Sequence, residues 1–222
     1  MKPKDSSGKS SPEGLETNAD VSASLAARIE LRKNLLSARR QLSDSQVLEY
    51  SSAICNTLLA LTESSAKIAG YLAIGNEVRV DGVLDKTRQQ LRNSYVPVVQ
   101  SGHHMVFAKI DENTALVENK FGILEPDLAT TDSIPSESLD VVLVPLVGFD
   151  ENCQRMGMGG GFYDRAFASN KHEADKHEPN KSKKPLLIGV AYDIQQTTSV
   201  LPAWWDVPLD IIVTETRIIR RT

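Results

Sequence analysis

The chain predicts a single α/β domain: a mostly parallel sheet between helices, in three layers. Three observations point there. Helical and strand-like segments alternate along the chain. Segments 139–147 (LDVVLVPLV) and 186–192 (LLIGVAY) are nearly all apolar, as strands covered on both faces must be. Hydrophobic residues make up 41% and charged residues 24% of 222, ordinary usage for one domain with a sizeable core.

Residues 1–22 (MKPKDSSGKSSPEGLETNADVS) hold almost nothing apolar. They cannot offset the entropy of ordering, so a disordered tail is expected, with the domain running over 23–222. Lys2 and Lys4 are followed by acids and not by an apolar run, so neither a secretory signal nor a transit peptide is expected. Residues 24–41 read as a helix, and Ser43 with Gln46 is a capping-box pattern opening a second helix to about residue 62. Residues 68–74 predict a strand, 80–91 a helix, and 95–99 with 104–110 two strands around a Ser101-Gly102 turn. A short helix over 162–169 and a last strand over 210–214 complete the pattern. Residues 170–184 (NKHEADKHEPNKSKK) read as a charged surface insert.

Composition excludes several classes. A net charge of −4 argues against a general binder of nucleic acid or anionic membrane. No apolar run approaches the roughly 20 residues that cross a bilayer. Cys55 and Cys153 lie far apart with no C-x-x-C, as in a reduced cytoplasmic protein. Four histidines give no ligand spacing, and no Ser-His-Asp or Cys-His arrangement is visible. Cys153 reads as structural.

Four features carry chemistry. On a helical wheel of about 100° per residue, Leu31, Leu35, Ala38 and Leu42 form one apolar stripe, and Leu25, Ile29 and Leu36 another. Arg28, Arg32 and Arg39 project between them and must snorkel or find anions, either a ligand's or the protein's own. Next, Arg155-Met156-Gly157-Met158-Gly159-Gly160-Gly161-Phe162-Tyr163-Asp164-Arg165 follows a buried strand and opens a helix. Its glycines let backbone amides approach an anion, although a purely structural turn has the same composition, and it is neither a Walker A loop nor a dinucleotide fingerprint. Third, Asp206 in the Trp204-Trp205-Asp206 loop could be brought toward Asp164. Two such carboxylates with phosphate oxygens suit Mg²⁺, and either alone serves as well as a helix cap. Facing one another, they would repel. Last, Glu77 ends the Leu72-Ala73-Ile74-Gly75-Asn76-Glu77 segment as a ligand contact or a cap.

In order, these pieces resemble the 5-formyltetrahydrofolate cyclo-ligase family. The resemblance rests on Arg28-Ile29-Glu30-Leu31-Arg32, residues 72–77, Phe121-Gly122-Ile123-Leu124-Glu125-Pro126, residues 144–164, 188–195 and 206–210. It covers about residues 25–217, and the 144–164 block is its most specific part. It implies that Arg28, Ile29, Glu30, Leu31 and Arg32, with Arg155, Met156, Gly157, Met158, Gly159, Gly160, Gly161, Phe162 and Tyr163, hold ATP. It implies Mg²⁺ on Asp164 and Asp206, and 5-formyltetrahydrofolate against Leu72, Glu77, Phe121 and Glu125, with Arg155, Tyr163 and Asp164 catalytic. The resemblance implies a monomeric cytoplasmic enzyme that closes 5-formyltetrahydrofolate to 5,10-methenyltetrahydrofolate, releasing ADP and phosphate. A non-catalytic nucleotide- or folate-binding regulator and a phosphosugar-type enzyme on a similar scaffold are the rival readings. Two departures, Cys153 for the family's Gly and Met156 for its Leu, bear on the geometry of the turn.

Overall fold

The computed structural model describes residues 18–101, 104–119, 122–168 and 184–222. The expected tail up to residue 17, Gly102, Phe121 and nearly all of the charged insert lie outside the described residues.

The elements run α1 (Asn18–Arg40), α2 (Asp44–Leu61), β1 (Lys67–Ala69), α3 (Asp81–Gln89), β2 (Asn93–Val99), β3 (Met105–Lys109), β4 (Leu116–Glu118), β5 (Leu124–Pro126), β6 (Ser133–Ile134), β7 (Val141–Pro145), β8 (Gly148–Phe149), β9 (Arg155–Met156), α4 (Phe162–Ala166), β10 (Leu186–Val190), β11 (Ile211–Val213) and β12 (Ile218–Arg220). Eight of the strands form one sheet in the order β12-β11-β10-β7-β1-β2-β3-β6. Its centre is parallel, β11 to β10 to β7 to β1 to β2, and both edges are antiparallel. The mostly parallel α/β sheet predicted from the alternation is therefore present.

Side-chain alternation explains why the central strands are apolar throughout. Val141 and Leu143 of β7 pack on one face with Ile54 and Leu58 of α2 and Val83 of α3. Val142 and Val144 pack on the other with Phe149, Cys153, Phe167 and Leu209. Among the described residues, long helices thus cover one face only; the second is covered by α4 and packed loops. α1 belongs to neither layer. It lies across the carboxyl end of the sheet, where Leu35 joins Val147, Met156 and Val200.

Several boundaries move. α1 begins at Asn18, six residues before the start expected from its first apolar positions. β1 ends at Ala69, before the expected Ile74. The capping box of α2 forms as read, Gln46 N–H donating to Ser43 Oγ and Ser43 N–H to Gln46 Oε1. β4, β5, β6, β8, β9 and β12 were not predicted. They are two or three residues long, too short for a period-2 pattern.

Candidate functional site

The loops leaving β1, β7 and β10 meet beyond the carboxyl ends of the parallel strands, where α/β sheets hold ligands. α1 closes this end. Its approach depends on Gly148, where a Cβ would lie 2.4 Å from Leu35 Cδ1. The near stripe of the wheel is confirmed, but Leu25 and Ile29 of the second are 59% and 54% exposed. That part of the helix meets the chain beneath it mainly through polar contacts of Arg28 and Arg32. Arg28 Nη1 donates to Asp206 Oδ2 and to the Leu201 carbonyl, each at 2.8 Å. Arg32 Nε donates to the Gly157 carbonyl at 2.8 Å. Glu30 turns to solvent beside Lys33, and Leu31 packs inward. Of the five residues 28–32, Arg28 bonds the Asp206 loop and Arg32 the glycine-rich loop, while Leu31 packs in the cluster that holds Met156.

The glycine-rich loop starts from the antiparallel β8–β9 pair. Its turn is fixed by Asp150, whose Oδ1 accepts from Asn152 and Gln154 N–H at 3.0 and 3.2 Å and whose Oδ2 accepts from Val200 N–H at 3.2 Å. Cys153 takes φ +57° in that turn, a left-handed conformation that suits glycine. The residue is fully buried in the main core, and burial pushes its thiol up to about 11. It is structural, as expected, and not a nucleophile. Beyond Met156, Gly159 has φ +99° and sits where a Cβ would come 3.8 Å from the Arg32 guanidinium carbon. Gly161, at φ +63°, precedes α4. The N–H groups of residues 157–161 donate to no acceptor among the described residues. Successive unpaired amides with two arginines alongside make a cradle for an anion.

The two predicted metal carboxylates come together on one side of this cradle. Asp164 Oδ1 accepts from Arg155 Nη2 at 2.7 Å and from the N–H of Val207, Asp206's neighbour, at 3.0 Å. Asp206 Oδ2 accepts from Arg28 and, at 2.8 Å, from Ala203 N–H. The expected repulsion is thus compensated by one guanidinium on each carboxylate. Asp164 Oδ2 and Asp206 Oδ1 accept from no described residue, leaving one hard oxygen on each. No cluster of three or more acidic, His or Cys residues exists among the described residues that could hold a metal alone. The donor set therefore fits a cation that takes its remaining ligands from water and phosphate, as Mg²⁺ does.

A second, more buried group of side chains lies under α1. Glu77 accepts from Ile74 N–H at 3.1 Å, and Arg39 stands 3.6 Å from its other oxygen. Burial raises the Glu77 carboxyl against the opposing effects of that N–H and of Arg39. The Tyr163 hydroxyl is buried with no hydrogen-bond partner. Burial holds it far above the usual phenol range, opposed by Arg155 and assisted by the charge of Glu77. Arg155 also lies 5.7 Å from the centre of the Tyr163 ring, so Tyr163 links the cradle to the Glu77 pocket. Leu72 is half-buried in the loop after β1. Glu125 accepts from Asn119 Nδ2 at 2.9 Å beside the β4–β5 pair. Phe121 lies outside the described residues.

Two residues inside the quoted motifs, to which the sequence assigned no role, build this end. Asp150 is one; its signal was the Asp-x-Asn turn that its side chain closes. Gln195 is the other. It is 1% exposed, donates to the Leu146 and Val147 carbonyls at 2.8 and 3.1 Å, and accepts from Tyr192 N–H at 2.9 Å. A cleft of about 520 Å³ opens at the opposite, amino end of the sheet, between Ser65, Asp140, Lys184 and Arg221. Its carboxylates are occupied by strand amides, Asp140 by Ala66 and Lys67 and Asp210 by Leu187.

Known proteins resemble this chain in sequence and in fold. A 5-formyltetrahydrofolate cyclo-ligase of Haemophilus influenzae is 32% identical over 191 residues, 84% of this chain and 97% of its own. The Escherichia coli K12 enzyme of the same name is 33% identical over 153 residues, 68% and 79%. The structure of Aquifex aeolicus 5,10-methenyltetrahydrofolate synthetase superposes with a TM-score of 0.72 at 29% identity, covering 87% of this chain and 92% of that one. That of a Mycoplasma pneumoniae synthetase gives 0.66 at 26%, covering 85% and 98%. The pattern of one family spans residues 24–215, from the arginines of α1 to the strand beyond Asp206. The chain belongs to the 5-formyltetrahydrofolate cyclo-ligase family.

Proposed function

We propose that this protein closes 5-formyltetrahydrofolate to 5,10-methenyltetrahydrofolate, using ATP and Mg²⁺ and releasing ADP and phosphate. The observation that carries the reading is the convergence of Arg28 and Arg32, the unpaired amides of residues 157–161 and the carboxylates of Asp164 and Asp206 where the glycine-rich loop meets the Asp206 loop. In the chemistry implied by the family, the formyl oxygen on N5 takes the γ-phosphoryl group of ATP. N10 then attacks the formyl carbon, the ring closes, and phosphate leaves. An amide-like oxygen needs no strong base to attack, so the protein's task is alignment and neutralisation of charge. This agrees with a site built from arginines, amides and carboxylates.

Each part has a role in that task. Residues 157–161 receive phosphate oxygens on their amides, and Arg28 and Arg32 add positive charge from above. Mg²⁺ held by the open oxygens of Asp164 and Asp206 would neutralise charge building on the transferred group. Arg155 keeps Asp164 in place and, through its stacking on Tyr163, fixes the wall between cradle and pocket. Glu77 faces the folate's donors from a largely buried position, and the unpaired Tyr163 hydroxyl offers the pocket a further polar contact. Purified protein should develop methenyl absorbance from 5-formyltetrahydrofolate only when ATP and Mg²⁺ are both present. A folded sample with all three components and no methenyl product would overturn the proposal.

A further inference from the structure

Arg39 is the third arginine of α1, and it meets neither the glycine-rich loop nor the Asp206 loop. It is 8% exposed. Its guanidinium stands 3.6 Å from Glu77 Oε1 and 3.4 Å from the Leu146 carbonyl. Both separations exceed the 2.7–2.9 Å of a charge-assisted hydrogen bond, so Arg39 attracts Glu77 without saturating it. Glu77 is held on its other side by Ile74 N–H at 3.1 Å. The loop itself is tied to the same helix end, Asn76 Nδ2 donating to the Leu42 carbonyl at 2.8 Å and to that of Arg39 at 3.4 Å. A buried ion pair so loosely made contributes little to stability, because desolvation offsets most of the attraction. Its geometry suits a different purpose. It leaves the carboxylate charged, aimed and still able to accept.

We infer that Arg39 is a positioning residue, holding Glu77 ionised and oriented toward the folate without touching the substrate itself. The inference rests on the proposed reading of Glu77 as a substrate contact. The titratable groups that face Glu77 are Arg39 from α1, Tyr71 from the loop after β1 and Tyr163 from α4. Burial pushes both phenols up, so both are neutral. Among these groups Arg39 is the one charge acting on Glu77. Burial raises the Glu77 carboxyl, and Arg39 with the Ile74 amide opposes it. Without Arg39, Glu77 takes up its proton at a higher pH and stops accepting from substrate donors.

The test is a mutant cycle read by calorimetric binding of 5-formyltetrahydrofolate without ATP, from about pH 6 to about pH 9. Near neutral pH, Arg39→Met and Glu77→Gln should each weaken binding by about tenfold or more, which is ~1.4 kcal/mol. The double variant should be no weaker than Glu77→Gln alone. Arg39→Met should recover toward wild type as pH rises, while Glu77→Gln stays flat. Arg39→Lys keeps the charge and should keep the wild-type pH profile at reduced affinity. Wild-type binding by Arg39→Met, or losses that add in the double variant, would overturn the inference while leaving Glu77 in the site. Wild-type binding by Glu77→Gln would remove Glu77 from the site and the inference with it. Should Arg39→Met alone fail to fold, the double variant, with no unpaired carboxylate left, and Arg39→Lys decide the matter by the same criteria.

Discussion

Asp164 and Asp206 each carry a guanidinium, and this changes what their neutral analogues should do. Two facing carboxylates would gain from losing a charge. Here Asp164→Asn weakens a bond to Arg155, whose side chain is only 5% exposed, and Asp206→Asn weakens one to Arg28. A hydrogen bond to a charged group contributes about 1.5–3 kcal/mol, so each variant should lose stability of about that order or less, Asn still accepting one bond. Turnover should fall further, by about a hundredfold, since charge developing on the transferred phosphoryl group loses its neutralising partner. Kinetics across a Mg²⁺ titration, well below the thermal midpoint, separate the two effects. Added Mg²⁺ should restore part of kcat and none of the lost stability. Full activity in either variant at low Mg²⁺ would remove that aspartate from the metal site.

Elements show where local pattern was sufficient and where it was not. The Ser43 capping box was legible because both of its bonds lie within four residues. The end of α3 was less so. Leu91 follows its C-cap at φ +57° and is 95% exposed, its N–H bonded to the Arg88 carbonyl and that of Arg92 to the Thr87 carbonyl. Nothing in a leucine announces a left-handed stop that glycine usually supplies. Leu91→Gly should relieve about 1–2 kcal/mol of backbone strain and give back up to ~1 kcal/mol through the freer unfolded chain. Differential scanning calorimetry should find the midpoint raised by about 1–4 °C, since no packing is lost. Activity should be unchanged. A lower midpoint would mean that the left-handed turn carries no strain.

At the scale of the whole molecule, α1 is joined to the sheet's carboxyl end by the same arginines that are proposed to hold the anion. Arg28 reaches Asp206 and Arg32 reaches Gly157, while the apolar contact comes from Leu31, Leu35 and Leu36 further along. An anion between helix and loop therefore adds contacts across a junction made largely of polar bonds. With ligand at about a hundred times its dissociation constant, the gain is ~2.7 kcal/mol, or about 5–10 °C in midpoint for a chain of this size. Mg²⁺ with ATP should produce that rise and slow hydrogen exchange around Arg28 and Arg32. A midpoint that does not move at high ATP and Mg²⁺ would mean that the folded chain does not bind the nucleotide. No helix among the described residues is long and apolar enough to cross a membrane.

The amino-acid sequence by itself determined the alternation of elements, the doubly covered β7 and β10, the cap of α2 and the glycine-rich loop. All of these are written in neighbours one to four residues apart, where hydrophobic period and backbone freedom act directly. Tertiary structure alone decided the partners. Arg28 and Asp206 are 178 residues apart and Arg32 and Gly157 are 125 apart, so only the strand order and the path of α1 could pair them. It also settled which apolar stripe of α1 is buried, because burial depends on what lies opposite and not on the stripe. The short strands β4, β5, β8 and β9 exist through pairing and not through propensity. For the same reason the wheel could flag Arg39 as a charge in an apolar arc, but only the fold could place Glu77 beside it.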